Sequence, residues 1–265
     1  MNTGSMLAKT RLDTVVIGGG AAGMMAALQA AWAGAQVVLL EKNEKLGKKI
    51  YITGKGRCNV TNACDLEDFF KQVPRNSKFL NAAVRQFGYE DVTSLLEMLG
   101  TPTKVERGNR VFPESDKASD VTRAFARGMK DAGVQVELNT GVKAVLKEED
   151  GFALQLERGG TLHAKSVIVA TGGLSYPSTG STGDGYTMAQ ELGHTIIPAV
   201  GSLVPLETAG EDCPDMQGLS LRNCGVKLVN AKGKVLYKDF GELLFTHFGV
   251  SGPTVLSASC HLKGE

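Results

Sequence analysis

The stretch Asp13-Thr-Val-Val-Ile-Gly-Gly-Gly-Ala-Ala-Gly23, with Val37-Val-Leu-Leu-Glu41 after it, decides the fold class. Residues 13–18 do not alternate between apolar and polar, which reads as a strand buried on both faces. Met24, Ala27, Leu28 and Ala31 then recur at helical spacing, and the alanines allow that face close to the strand. Gly34 stops the helix. Val37 to Glu41 is a second buried strand. Strand, glycine turn, helix and strand make a right-handed crossover unit, so the chain is expected to be α/β. No charged residue lies between Thr14 and Leu40, which invites a membrane reading. The glycines at 18–20, with Gln29, Gly34 and Gln36, interrupt the apolar character and argue against it.

Inside that unit, Gly18, Gly20 and Gly23 fit the spacing of a dinucleotide turn. Gly18 permits the tight bend, Gly20 lets a pyrophosphate approach the backbone, and Gly23 brings helix and strand together. The helix amino end, with Ala21 and Ala22, faces the phosphates. Glu41 follows Gly18 by 23 positions and closes the second strand. Its carboxylate suits the hydroxyls of an adenosine ribose and would repel a 2′-phosphate, so the primary nucleotide is not NADP. The motif alone does not separate FAD from NAD. A second glycine turn, Ala170-Thr-Gly-Gly173, ends another buried strand, and two such strand ends in one sheet suit a long, extended dinucleotide.

Working outward, the chain has 265 residues, 42% hydrophobic and 22% charged, enough for one large or two moderate domains. The 29 basic and 28 acidic side chains nearly cancel, which argues against a nucleic-acid binder driven by bulk charge and leaves room for a local basic patch. The 33 glycines exceed the usual ~7% and cluster without a three-residue period, so collagen is excluded. Five cysteines and four histidines show no paired-ligand spacing. Reduced thiols, no metal and a cytoplasmic setting are the expectation.

Residues 42–64 read as a long loop, which is uncommon without a job. Within it, Thr53-Gly-Lys-Gly-Arg57-Cys-Asn59-Val-Thr61-Asn62 joins flexibility to polar groups. Arg57 can pair with a phosphate or an electron-rich flavin edge. Asn59 and Thr61 can bond a ribityl chain or ring nitrogens. Cys58 reads as a small packed residue ahead of a redox thiol. Lys45, Lys48, Lys49 and Lys55 form a basic run that is either a solvated face or a contact for a phosphate-rich substrate such as RNA. Ser175-Tyr-Pro-Ser-Thr-Gly-Ser-Thr-Gly-Asp184-Gly185 is a second ligand-like loop, in which Asp184 can hold a hydroxyl. Gly241 to Pro253 is a third. His247 within it is a proton-relay candidate, although a structural histidine is the stronger reading. Helical pieces are expected across 66–99 with breaks near Pro74 and Gly88, strands across 134–170, and mostly β structure over 200–250 with a hairpin at Asn230-Ala-Lys-Gly233.

Four blocks carry a resemblance: Gly18 to Gly23 with Glu41, Gly54 to Asn62, Thr171 to Gly185, and Gly241 to Pro253. On them the chain resembles the bacterial FAD-binding, aminoacetone-oxidase-like flavoproteins, a family that includes a bile-acid reductase and a ribosomal RNA dihydrouridine-forming member. The resemblance implies a Rossmann-type FAD-binding domain over 10–198 and part of a β-rich inserted domain over 199–265. It also implies that the family's helical domain and returning flavin segment lie outside this sequence, which looks C-terminally truncated. Motifs and resemblance together place cofactor contacts at Gly18, Gly20, Ala21, Ala22, Gly23, Glu41, Lys42, Lys49, Gly56, Arg57, Cys58, Asn59, Thr61, Thr171, Gly172, Gly173 and Asp184. Arg57, Asn59 and His247 are the catalytic candidates. The expected cofactor is FAD, with NAD(P)H as an electron donor. The expected activity is hydride transfer to or from carbon of a small molecule. RNA modification and a non-catalytic flavin-binding scaffold are the alternatives.

Overall fold

The computed structural model describes residues 11–262. The start of the first expected domain, residue 10, lies outside them. The decisive stretch folds as strand β1 (Leu12–Ile17), helix α1 (Ala21–Trp32) and strand β2 (Val37–Leu40). β1 and β2 pair in parallel, with Val15 opposite Val38. Val16 faces one core with Met24, Leu28 and Leu39. Val15 and Ile17 face another with Val38, Leu40 and Leu154. Both faces of β1 are therefore buried, which is why its sequence does not alternate. Met24 and Leu28 are fully buried, each contributing about 1.5–3 kcal/mol by leaving water.

A 3-10 segment, Ile50–Gly56, and a two-residue strand β3 (Thr61–Asn62) follow. The expected loop over 42–64 is thus partly regular. Thr53, Gly54 and Lys55 break its helical path with extended and left-handed backbone. Three helices come next, α2 (Leu66–Lys71), α3 (Ser77–Gln86) and α4 (Tyr89–Met98), with breaks where Pro74 and Gly88 stand. Strands β4 (Thr103–Glu106) and β5 (Arg110–Pro113) join β3 in a small antiparallel sheet ordered β3-β5-β4. Helix α5 (Ala118–Asp131) buries Val121, Ala124 and Met129. Strands β6 (Gln135–Glu137), β7 (Val142–Glu148), β8 (Gly151–Leu156) and β9 (Thr161–Val169) complete a six-stranded sheet ordered β6-β2-β1-β9-β8-β7. β6, β2, β1 and β9 run parallel, while β7 and β8 are an antiparallel extension. Helix α6 (Asp184–Glu191) buries Met188 beneath that second core.

The remaining elements are β10 (Leu206–Glu207), α7 (Asp212–Asp215), β11 (Ser220–Val229), β12 (Val235–Thr246), β13 (Gly249–Ser251) and α8 (Pro253–Ser259). Their strands form one antiparallel sheet ordered β10-β13-β12-β11, and the hairpin closes at Asn230–Gly233 as expected. Contacts divide the described residues into two compact units: residues 11–66 with 80–196, and residues 67–79 with 197–262. The second unit thus takes a segment from the 66–99 region, which the sequence had placed in the first domain. Among the described residues no helix is long and apolar enough to cross a membrane, and the uncharged stretch 14–40 is spent on β1, α1 and β2.

Candidate functional site

Parallel pairing sets the carboxyl ends of β1, β2 and β9 side by side, and the site opens there. Gly18 has φ 105°, and a Cβ on it would lie 2.5 Å from Ala170 O at the end of β9. A Cβ on Gly23 would collide with Gly18 O. Glycine at these two positions is demanded by the protein's own packing. Gly20 is different. Its φ is −76°, which any residue adopts, and a Cβ there meets no protein atom within 4 Å. It lines a cleft of about 350 Å³ together with Ala21 and Ala22. Gly20 caps α1 with no side-chain bond, so the first amide groups of the helix are donors without intrahelical partners beside this cleft.

Glu41 lines the cleft as well. It is buried, and its Oε2 accepts from Gly19 N at 2.6 Å. Its Oε1 accepts from Asn43 N at 2.7 Å and Asn43 Nδ2 at 2.6 Å. Lys42 Nζ pairs with Asp184 Oδ2 at 2.7 Å and donates to Thr182 Oγ1 at 2.7 Å. Burial pushes the Asp184 carboxyl up, but Lys42 and Thr182 outweigh it and hold the group below the usual aspartate range. Lys49 Nζ donates to Ser175 O at 2.8 Å and Ser181 Oγ at 2.7 Å. Thr171 and Gly172 complete this part of the lining, while Gly173 falls outside it.

The structure therefore brings Gly18, Gly20, Ala21, Ala22, Glu41, Lys42, Lys49, Thr171, Gly172 and Asp184 to one cleft, with Gly23 behind them. Gly56, Arg57, Cys58, Asn59 and Thr61 do not line it; Thr53 is the residue of their loop that does. Arg57, expected beside a flavin or a substrate anion, is engaged elsewhere. Its Nη2 bonds Glu106 Oε1 at 2.5 Å and Asp116 Oδ1 at 2.6 Å, its Nε bonds Asp116 at 2.9 Å, and its guanidinium lies 4.1 Å over the Phe112 ring. Cys58 is buried in the core, and burial pushes its thiol up against an opposing bond to Thr53, which suits packing over redox chemistry. Asn59 is exposed, and Thr61 pairs with Val111 in β3. His247 belongs to the second unit, where it is exposed with its ring 5.0 Å from Phe248.

Asn43, Thr140, Ser181 and Met188 also line the cleft and were not singled out from sequence. Ser181 lay within a quoted loop. Thr140 carried no local signal, because its place depends on β2 pairing β6, which lets Thr140 N reach Glu41 O at 2.8 Å.

Comparison with known proteins identifies the family. A family described as HI0933-like protein Rossmann domain matches residues 12–257. The chain is 36% identical over 251 residues to the 3-dehydro-bile acid delta(4,6)-reductase of Clostridium scindens, covering 93% of this chain and 59% of that protein. It is 32% identical over 254 residues to the ribosomal RNA dihydrouridine synthase of Escherichia coli, covering 95% and 61%. The chain thus spans about three fifths of the length of these curated relatives. Among solved structures, the open conformation of a flavocytochrome c3 fumarate reductase superposes with a TM-score of 0.60 at 22% identity, over 85% of this chain and 49% of the other.

Proposed function

The chain belongs to the HI0933-like Rossmann family, and from that premise we propose that it is the FAD-binding part of an oxidoreductase that transfers a hydride to or from carbon of a small molecule. The observation that carries this reading is Gly20, a glycine that the protein's own packing does not require, facing a cleft at the amino end of α1. The residues present suit the group. Glu41 would accept from the adenosine ribose. Gly20, Ala21 and Ala22 would offer backbone amides to the pyrophosphate, and Lys49 would balance its charge. Thr171, Gly172 and the Asp184–Lys42 pair would flank the remainder. Bound FAD supplies the hydride acceptor or donor, with NAD(P)H as its source of electrons in the reducing direction. Thr53 is the polar side chain of its loop that lines the cleft, and Asn59, exposed beyond buried Cys58, would meet a ring edge only outside that lining. The reading sets the protein in the cytoplasm.

Titration of the purified chain with FAD, followed by absorbance, tests this reading. The wild type is expected to take up FAD. Gly20→Val should lose roughly a hundredfold or more in affinity, the scale of ~3 kcal/mol of overpacking against the ligand, while melting near the wild-type temperature. Unchanged affinity in a folded Gly20→Val protein would overturn the assignment.

A second reading, flavin-dependent RNA modification, is favoured by the 32% identity to ribosomal RNA dihydrouridine synthases. The basic run supports it weakly. Lys48 pairs with Glu44, Lys45 lies over the Tyr51 ring, and Lys49 turns to Ser175 and Ser181. RNA retention that falls steeply with added salt would select this reading over a small-molecule enzyme.

A further inference from the structure

Thr179, Gly180, Ser181 and Asp184 of the segment from Ser175 to Asp184 line the cleft, and the segment is held by three other lining side chains, Lys42, Asn43 and Lys49. Lys42 holds Asp184 and Thr182, and Asn43 Nδ2 reaches Thr179 O at 3.3 Å. Lys49 holds Ser175 O and Ser181 Oγ. These ties are not equivalent. The charge of Lys42 is balanced by Asp184, and that of Lys48 by Glu44. Lys49 bonds only neutral oxygens, and among the described residues no carboxylate stands at ion-pair distance from it. An ammonium has three N–H donors, so Lys49 keeps one donor and an unbalanced charge.

That charge belongs to the cleft that Gly20, Ala21 and Ala22 also line, where the helix end already favours an anion. Its partner Ser181 is 6% exposed and sits against the second glycine turn, where a Cβ on Gly172 would lie 2.6 Å from the Ser181 hydroxyl. Lys49 thus joins a buried point of the strap to a charge that a ligand in the cleft would meet. We propose that Lys49 bridges the diphosphate of a bound dinucleotide to the Ser175–Asp184 strap, so that a diphosphate-bearing nucleotide orders the strap. The inference rests on the dinucleotide reading given above. A charge-assisted bond through the third donor fixes the ammonium, and a fixed ammonium holds Ser175 and Ser181 in place.

Amide hydrogen exchange over residues 175–184, with and without ADP or FAD, tests the bridge. In the wild type either nucleotide is expected to slow exchange across the strap. Lys49→Met should weaken both nucleotides about tenfold, the scale of one charge-assisted bond, and should lose the slowing even at saturation. Lys49→Arg should recover part of the affinity. Ser181→Ala should keep most of the affinity and lose most of the slowing, which a purely electrostatic Lys49 would not produce. Wild-type affinity in Lys49→Met, or an equally slowed strap in that variant at saturation, would overturn the proposal. If the wild type binds ADP but not FAD, the flavin reading fails and the bridge is judged on ADP. If it binds neither, both fall.

Discussion

Glu41 holds three hydrogen bonds from the protein itself, from Gly19 N, Asn43 N and Asn43 Nδ2. A carboxylate has about four lone-pair sites, so the protein leaves about one for a ligand. The two-hydroxyl ribose contact suggested by the sequence is therefore reduced to about one bond unless Asn43 yields. Glu41→Ala should weaken FAD by about tenfold, the scale of a single charge-assisted bond. It should also destabilise the fold by ~1–3 kcal/mol, because the Gly19 and Asn43 amides lose their acceptor. Calorimetric titration and thermal melting read the two effects separately. A destabilised variant with wild-type FAD affinity would show that Glu41 only braces the turn. The spacing from Gly18 to Glu41 was legible because ligand geometry dictates it. The competition from Asn43 was not, since it depends on a side-chain orientation three residues beyond the strand.

At the scale of elements, the small β3-β5-β4 sheet explains where Arg57 went. The sequence shows β5 through Val111-Phe-Pro113, but β3 has two residues and β4 reads Thr-Lys-Val-Glu, too short and too polar to announce itself. Without β4, Glu106 has no assigned place, and a lone arginine in a glycine-rich loop looks available for a ligand. In the fold, Glu106 and Asp116 flank it, and Lys104 adds bonds to the same carboxylates. The bond from Arg57 is the main cause that lowers Glu106, and those from Lys104 and then Arg57 lower Asp116. Carboxyls depressed on folding contribute stability above their unfolded values, 4.5 and 3.8, and lose it as pH falls through the folded ones. Arg57→Met should therefore lower the denaturation midpoint near neutral pH, and its deficit against the wild type should shrink as pH falls below those unfolded values. FAD affinity should stay unchanged. Lost FAD affinity with an unchanged midpoint would return Arg57 to the ligand site.

At the scale of the whole molecule, the crossover unit and the hairpin were legible because both are local: a glycine turn between buried runs, and Asn230 to Gly233 between strands. The antiparallel β7-β8 extension and the transfer of residues 67–79 to the second unit depend on pairings far apart in sequence, which periodicity does not encode. The chain's single tryptophan, Trp32, lies at the end of α1 in the first unit. Trp-selective fluorescence therefore reports melting of the unit that holds the cleft, and the second unit is silent to it. A ligand that binds only the folded state adds about 2.7 kcal/mol at a hundredfold excess over its dissociation constant. For a unit of this size that corresponds to an upward shift of roughly 5–10 °C. FAD should move the Trp32 transition by that much in the wild type and leave it in place in Gly20→Val. The same shift in both proteins would mean that FAD binds somewhere other than the cleft at the amino end of α1.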